Sequence, residues 1–169
     1  ADPYIGDLAV EGDIIAEVAP VGAPGGAQNA RRVIDAEGLA LSPGFVDIHG
    51  HSDYYLLMNP TAQAKVRQGV TTDVGGNCGY AAAPIGGVEL EERRSYYREQ
   101  FGLEIPFSRL DEYLCHVENT GVSVNYAPLI GHNTVRAPVM GGSARPAGPD
   151  DLDRMDRLVD EGMREGAFG

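Results

Sequence analysis

The sequence contains a single lysine, Lys65, against twelve arginines, and only two cysteines, Cys78 and Cys115. Two cysteines make no disulfide framework, and a reducing, cytoplasmic setting is the default expectation. No stretch approaches the roughly 20 consecutive apolar residues that a membrane-spanning helix needs, so no membrane partner is expected. The first residues show no basic segment followed by an apolar one, the mark of a secretory leader. Positive charge is scarce throughout: the formal net charge is −12 at pH 7. Such a chain repels a polyanion, which sets nucleic acid aside as a partner.

What is present is the composition of an ordinary globular protein, 43% hydrophobic and 22% charged over 169 residues. Residues 1–42 read as short strands: Asp7–Glu11, a turn at Glu11-Gly12-Asp13, and Ile14–Val18. A Gly/Pro/Ala-rich loop follows over Pro20–Gln28. A third strand is expected at Arg32–Asp35, before Glu37-Gly38 turns into Leu39–Leu41. No helix interrupts them. They predict a small β module, with too few strands to fold alone.

From Pro43 the pattern changes to strands alternating with helices. Phe45–His49 is the first strand. Asn59-Pro60 has the form of an N-cap followed by a first-turn proline, with Ala62, Val66 and Val70 inward and Gly69 at the end. Val70–Val74 is the second strand and runs into Gly75–Gly79. Val88–Gln100 reads as a charged helix inserted in the loop. Ser108, with Asp111 three positions on, has the form of a capping box for a helix that buries Leu110, Leu114 and Val117. Cys115 reads as packing beside that stripe, and His116 as solvated. Val122–Ile130 is the third strand, leaving at Gly131-His132. A Gly/Pro loop spans Ala137–Gly148, and Pro149-Asp150 opens a helix with Leu152, Met155, Val159 and Met163 inward. Gly166–Gly169 begins a fourth strand. The alternation predicts an α/β fold with a parallel sheet and right-handed crossovers. A closed βα barrel takes eight such units and roughly 250 residues, so three units and a fourth strand read as part of a larger protein.

In parallel α/β architectures chemistry gathers at the C-terminal ends of the strands. His49, His51 and Asp53 follow the first strand, Asn77 and Cys78 the second, and His132 the third. Residues i and i+2 of a strand share a side, so His49 and His51 are placed to grip one divalent cation. Cys78 lies in a glycine-rich loop and is either a buried thiol or, once deprotonated, a metal ligand. Asp53 orients a histidine or caps the next turn. Arg136, in the following loop, binds a carboxylate in bidentate fashion or makes a structural ion pair. Asp47 reads as satisfying backbone or a neighbouring strand. The cluster Arg93, Arg94 and Arg98 reads as a solvated helix face.

Four stretches carry a resemblance. Val33–Gly38 leads into Ser42–His51; Lys65–Thr72 is followed by Gly76–Gly79; Gly131–Arg136 and Glu165–Gly169 complete the set. Together they resemble the amidohydrolase superfamily and, within it, the D-aminoacylase (N-acyl-D-amino-acid deacylase) family. The resemblance implies that residues 1–42 are part of a small β-sandwich domain. It implies that residues 43–169 are the first three βα units and the start of the fourth strand of a TIM-like (β/α)8 hydrolase barrel. It implies one or two Zn2+ ions, with His49, His51 and Cys78 as metal ligands, and Asp53, Asn77, His132 and Arg136 as groups near the substrate or behind the ligands. The implied reaction is hydrolysis of the amide bond of a small-molecule N-acyl-D-amino acid, giving a D-amino acid and a carboxylate. The general base of that reaction, an aspartate, is expected beyond residue 169, so this stretch alone is expected to be inactive. Cyclic-amide hydrolases of the hydantoinase and dihydroorotase type share the His-x-His, but many bridge their metals with a carboxylated lysine on the fourth strand. Lys65 is expected in the first helix, far from a strand end, whereas Cys78 stands where the deacylases have a cysteine. A cyclic-amide hydrolase and a non-catalytic degenerate barrel are the competing readings.

Overall fold

The computed structural model describes residues 5–21 and 30–169. They divide into two compact units, Ala1–Ser42 and Pro43–Gly169. In the first, β1 (Gly6–Glu11) and β2 (Ile14–Pro20) pair antiparallel, with Glu11 opposite Ile14 and a bulge between Ala9 and Val10. Gly12 supplies the positive φ of 65° that the tight turn requires. The strand expected at Arg32–Asp35 does not form. There Asp35 Oδ1 instead accepts the N–H of Glu37 at 3.0 Å, starting a turn, and Val33 and Ile34 are exposed, paired with no strand among the described residues. Most of the loop expected over Pro20–Gln28, from residue 22 onward, lies outside the described residues.

The second unit is α/β. Strands β3 (Phe45–Asp47), β4 (Val70–Gly75) and β5 (Asn125–Pro128) form a parallel sheet in the order β3-β4-β5. The β-branched run Val70-Thr71-Thr72 suits the central strand. Strand β3 is shorter than the sequence suggests, because Asp47 Oδ1 accepts the N–H of His49 at 3.3 Å and turns the chain out of the ladder.

Helix α1 (Tyr55–Met58) begins upstream of Asn59-Pro60, drawn in by Leu56 and Leu57, which are buried. Asn59 therefore closes a helix rather than opening one: its N–H bonds Tyr55 O at 2.7 Å and its side chain accepts from Thr61 Oγ1 at 2.9 Å. Helix α2 (Gln63–Val66) follows, and Val66 is exposed rather than inward. Helix α3 (Gly87–Phe101) carries its charge in ladders, Glu89–Arg93 at 2.6 Å and Glu91–Arg94 at 2.8 Å. Arg93 also lies over the Tyr54 ring, 5.7 Å from its centroid, so one member of the arginine cluster is committed to packing.

Helix α4 (Leu110–Thr120) is capped one residue later than expected. Glu112 Oε2, not Asp111, accepts the N–H groups of Ser108 and Arg109, at 2.8 and 3.1 Å. Glu165, more than fifty residues away, takes the N–H groups of Leu110 and Asp111. The buried stripe is Leu110, Tyr113 and Val117, with Leu114 half-buried. Each such side chain contributes about 1.5–3 kcal/mol by leaving water. Cys115 falls off that stripe and is exposed, while His116 is half-buried with its ring 5.8 Å from that of Phe107.

Helix α5 (His132–Met140) runs through the segment expected to be loop, since Val135 and Met140 pack against Met155. The loop shrinks to Gly141–Gly148. Helix α6 (Pro149–Arg164) buries Met155 and Gly162 with Leu158 half-buried, so Leu152, Val159 and Met163 face out. Gly162 fits because a Cβ there would stand 2.7 Å from Ile130 Cδ1. Gly166–Gly169 lies beside the end of β5, through Phe168 N–H to Pro128 O and Ile130 N–H to Gly169 O, both 2.8 Å, without a continuous ladder.

The start of α6 yields a pH test. Asp151 accepts from Arg145 Nη2 and from Gly148 N–H, both at 2.9 Å, and these bonds hold its carboxyl down at about 2. A depressed pKa stabilises the fold above the ordinary aspartate value of 3.8 and loses that contribution as pH falls through about 2. Thermal unfolding of Asp151→Asn is therefore expected to vary less than that of the parent between pH 4 and 2. Parallel curves would remove the cap from the account.

Candidate metal centre

Three donors converge where β3 and β4 end. His49, His51 and Cys78 each present a ligand atom within 4.8 Å of the others, and His49 Nε2 lies 3.2 Å from Cys78 Sγ. Among the described residues this is the one such group of three or more His, Cys, Asp or Glu side chains. All three side chains are exposed. Ligand atoms around a tetrahedral zinc stand roughly 3.3–3.7 Å apart, given bonds of about 2.0–2.3 Å. The group therefore needs only side-chain adjustment to fit that ion, and two imidazoles with a thiolate are a donor set zinc favours.

Local backbone explains the convergence. Cys78 has φ 56° and ψ 23°, a left-handed conformation rarely adopted by a residue with a Cβ. It sits in a single 3-10 turn over Asn77–Gly79, flanked by Gly76 and Gly79, also at positive φ. Gly76 admits no side chain, since a Cβ would meet Leu129 O at 2.1 Å. Asn77 ties the turn to the histidines: its Nδ2 donates to Gly50 O at 3.2 Å and to Val74 O at 2.8 Å. Gly50 N–H in turn donates to Val74 O at 3.2 Å.

The other residues singled out from the sequence stand differently. Asp53 is buried, accepting from the Tyr126 hydroxyl at 2.9 Å through Oδ1 and from the Tyr113 hydroxyl at 2.8 Å through its carbonyl. His132 is exposed at the first turn of α5. Arg136 lies in that helix, not in a loop, and its guanidinium donates to Ser143 O. The motif around them is a packing device. Gly131 sits so close to the thiol-bearing turn that a Cβ would meet Gly79 O at 2.4 Å, and Thr134, fully buried, accepts the N–H of Ala81 at 2.9 Å.

One feature behind the donors escaped the sequence reading. Lys65 is not remote from the strand ends: its Nζ bridges Asp47 Oδ2 at 2.6 Å and Asp73 Oδ1 at 2.8 Å. Its being the sole lysine was the available signal.

The sequence over residues 32–169 matches the model of the Amidohydrolase family. The chain belongs to that family. It is 41% identical, over 97% of its length, to an N-acyl-D-aspartate deacylase of Alcaligenes xylosoxydans xylosoxydans, and spans 32% of that relative. It superposes along its whole length on a D-aminoacylase studied for its binuclear metal centre, with a TM-score of 0.84 at 37% identity, and covers 34% of it. An N-acyl-D-glutamate deacylase of Bordetella bronchiseptica, solved with zinc and a phosphonate mimic of the tetrahedral intermediate, matches with a TM-score of 0.81 at 29% identity. There 97% of this amidohydrolase chain aligns with 33% of the other. The chain thus spans about a third of the length of the relatives it matches.

The strained turn predicts an order of stability. In chelator, Cys78→Gly is expected to be more stable than Cys78→Ala by about 1 kcal/mol, because only glycine relieves a positive φ. Denaturant unfolding measures it, and a more stable alanine variant would contradict the left-handed turn.

Proposed function

We propose that this chain supplies the first metal ligands of a zinc-dependent hydrolase that cleaves the amide bond of N-acyl-D-amino acids. The convergence of His49, His51 and Cys78 carries the reading, in a chain whose relatives are named as deacylases of such substrates. In this reading residues 43–169 are the first three βα units and the start of the fourth strand of a (β/α)8 barrel. Residues 1–42 are part of a β-sandwich domain. The exposure of Val46 and Ile48, 54% and 74%, on either side of Asp47 supports a β3 that is flanked by further structure.

His49 and His51 would hold the ion through neutral imidazole nitrogens and Cys78 through its thiolate. A zinc ion held there would supply Lewis acidity towards an amide carbonyl and towards water, whose pKa such an ion brings down to ~7. The chain's own part is to present the donors in place. The Asn77 amide locks the thiol-bearing turn to Gly50, and the left-handed turn aims Cys78 at His49. The donor group holds no carboxylate, so proton transfer falls to a residue outside it. Lys65, which the cyclic-amide reading would need at a strand end, is instead engaged by two aspartates.

The intact protein is expected to contain zinc and to hydrolyse N-acyl-D-amino acids at least about tenfold faster than the L forms, a difference of roughly 1.4 kcal/mol in barrier. Cys78→Ala should lower both zinc content and rate. A protein that binds no zinc and cleaves neither enantiomer would refute the assignment.

A further inference from the structure

Beneath the three donors lies an ion network that stability alone does not explain. Asp73 has no exposed surface, and its Oδ2 has no hydrogen-bond partner among the described residues, so its charge is met by Lys65 alone. Burying a carboxylate with one partner and one unsatisfied oxygen is costly, and an apolar pair of similar volume is often as stable or more so. Burial pulls the Lys65 ammonium down, but its bonds to Asp47 and Asp73 outweigh that and raise it above its usual value.

Its location gives it a use. Asp47 and Asp73 are partners in the β3–β4 register, so Lys65 straps the two strands together at the last residue of β3. Asp47 Oδ1 accepts the N–H of His49. Gly50, between the two histidines, is buried directly against the bridge: a Cβ there would stand 2.5 Å from Asp73 Oδ1 and 3.1 Å from Lys65 Nζ. The carbonyl of Gly50 is held by Asn77, the neighbour of Cys78.

We propose that Lys65 is a positioning residue for the His49–His51–Cys78 group: by bridging Asp47 and Asp73 it fixes the backbone from Asp47 to Gly50, so that the two imidazoles stand pre-set beside the thiol. This rests on the metal reading above. The compact ammonium carries three donors and meets both carboxylates at once.

The test is zinc affinity of the intact protein, by competition with a chelator, together with the electronic spectrum of the cobalt(II) form. Lys65→Met leaves two aspartates unpaired and risks misfolding. The decisive variant is therefore Lys65→Met with Asp47→Asn and Asp73→Asn, which removes every charge of the network and keeps its volume. The triple variant is expected to unfold cooperatively, yet to bind zinc about 10- to 100-fold more weakly and with an altered cobalt spectrum. Native zinc affinity and a native cobalt spectrum in the folded triple variant would overturn the positioning role. Cys78→Ala is the control for the reading beneath: native affinity there would overturn the metal site itself, and with it the proposal.

Discussion

The parallel pairing of β3 with β4 is the constraint on which this end of the molecule depends. It sets Asp47 opposite Asp73, so the chain leaving β3 runs beside the last residues of β4 before either strand gives way to a turn. From there the histidines and the cysteine, 29 residues apart in the case of His49 and Cys78, have little freedom to miss each other. A one-residue slip of β3 would carry His49 and His51 to the other face. The polar bonds across the pair, from Lys65 and from Asn77, both act to prevent that slip.

Close backbone approach is the second device. Gly76 lies against Leu129 and Gly131 against Gly79, so the ends of β4 and β5 meet with no side chain between them. The loop bearing Cys78 is thus pressed against the segment that leaves β5, and this packing holds its left-handed conformation. Thr134, fully buried, adds a bond to Ala81 just beyond that loop. Gly131 and Thr134 therefore shape the turn that carries the thiol, and neither offers a ligand atom. Glu165 plays a similar part at a distance, capping α4 from the far end of α6 and so fixing how the two helices meet.

Much of this was legible in the sequence where the signal is local. The β-branched run of β4, the charge ladders of α3 and the proline at the start of α6 each specify their own element. His49, His51 and Cys78 were legible because strand ends and glycine-rich turns can be placed from short patterns. What was not legible depends on distant partners. Val33-Ile34 has strand propensity, but among the described residues no strand edge pairs with it. Part of the cap at α4 comes from Glu165, which takes the N–H groups of Leu110 and Asp111 and lies in no window around Ser108. The inward face of α6 follows Met155 and Gly162 because Gly162 must admit Ile130, and periodicity alone allowed the face through Leu152 and Val159 equally well. Arg136 was expected in a loop because Pro138 follows it, yet the contact of Val135 and Met140 with Met155 carries the helix through.

The same distinction bears on Lys65. Read along the chain, it is one polar residue in a short helix. Read across the sheet, it is the cation between two aspartates on adjacent strands, and one of those aspartates has no exposed surface. The general cost of such a bridge makes it a poor way to strengthen a fold, since removing one partner is punished far more than replacing the set by apolar groups. What it offers is geometric: two short bonds that tie Asp47 to Asp73 across the paired strands and so resist a shift of register. A site that must hold three donors within a few ångströms of each other needs that certainty more than it needs a further increment of stability.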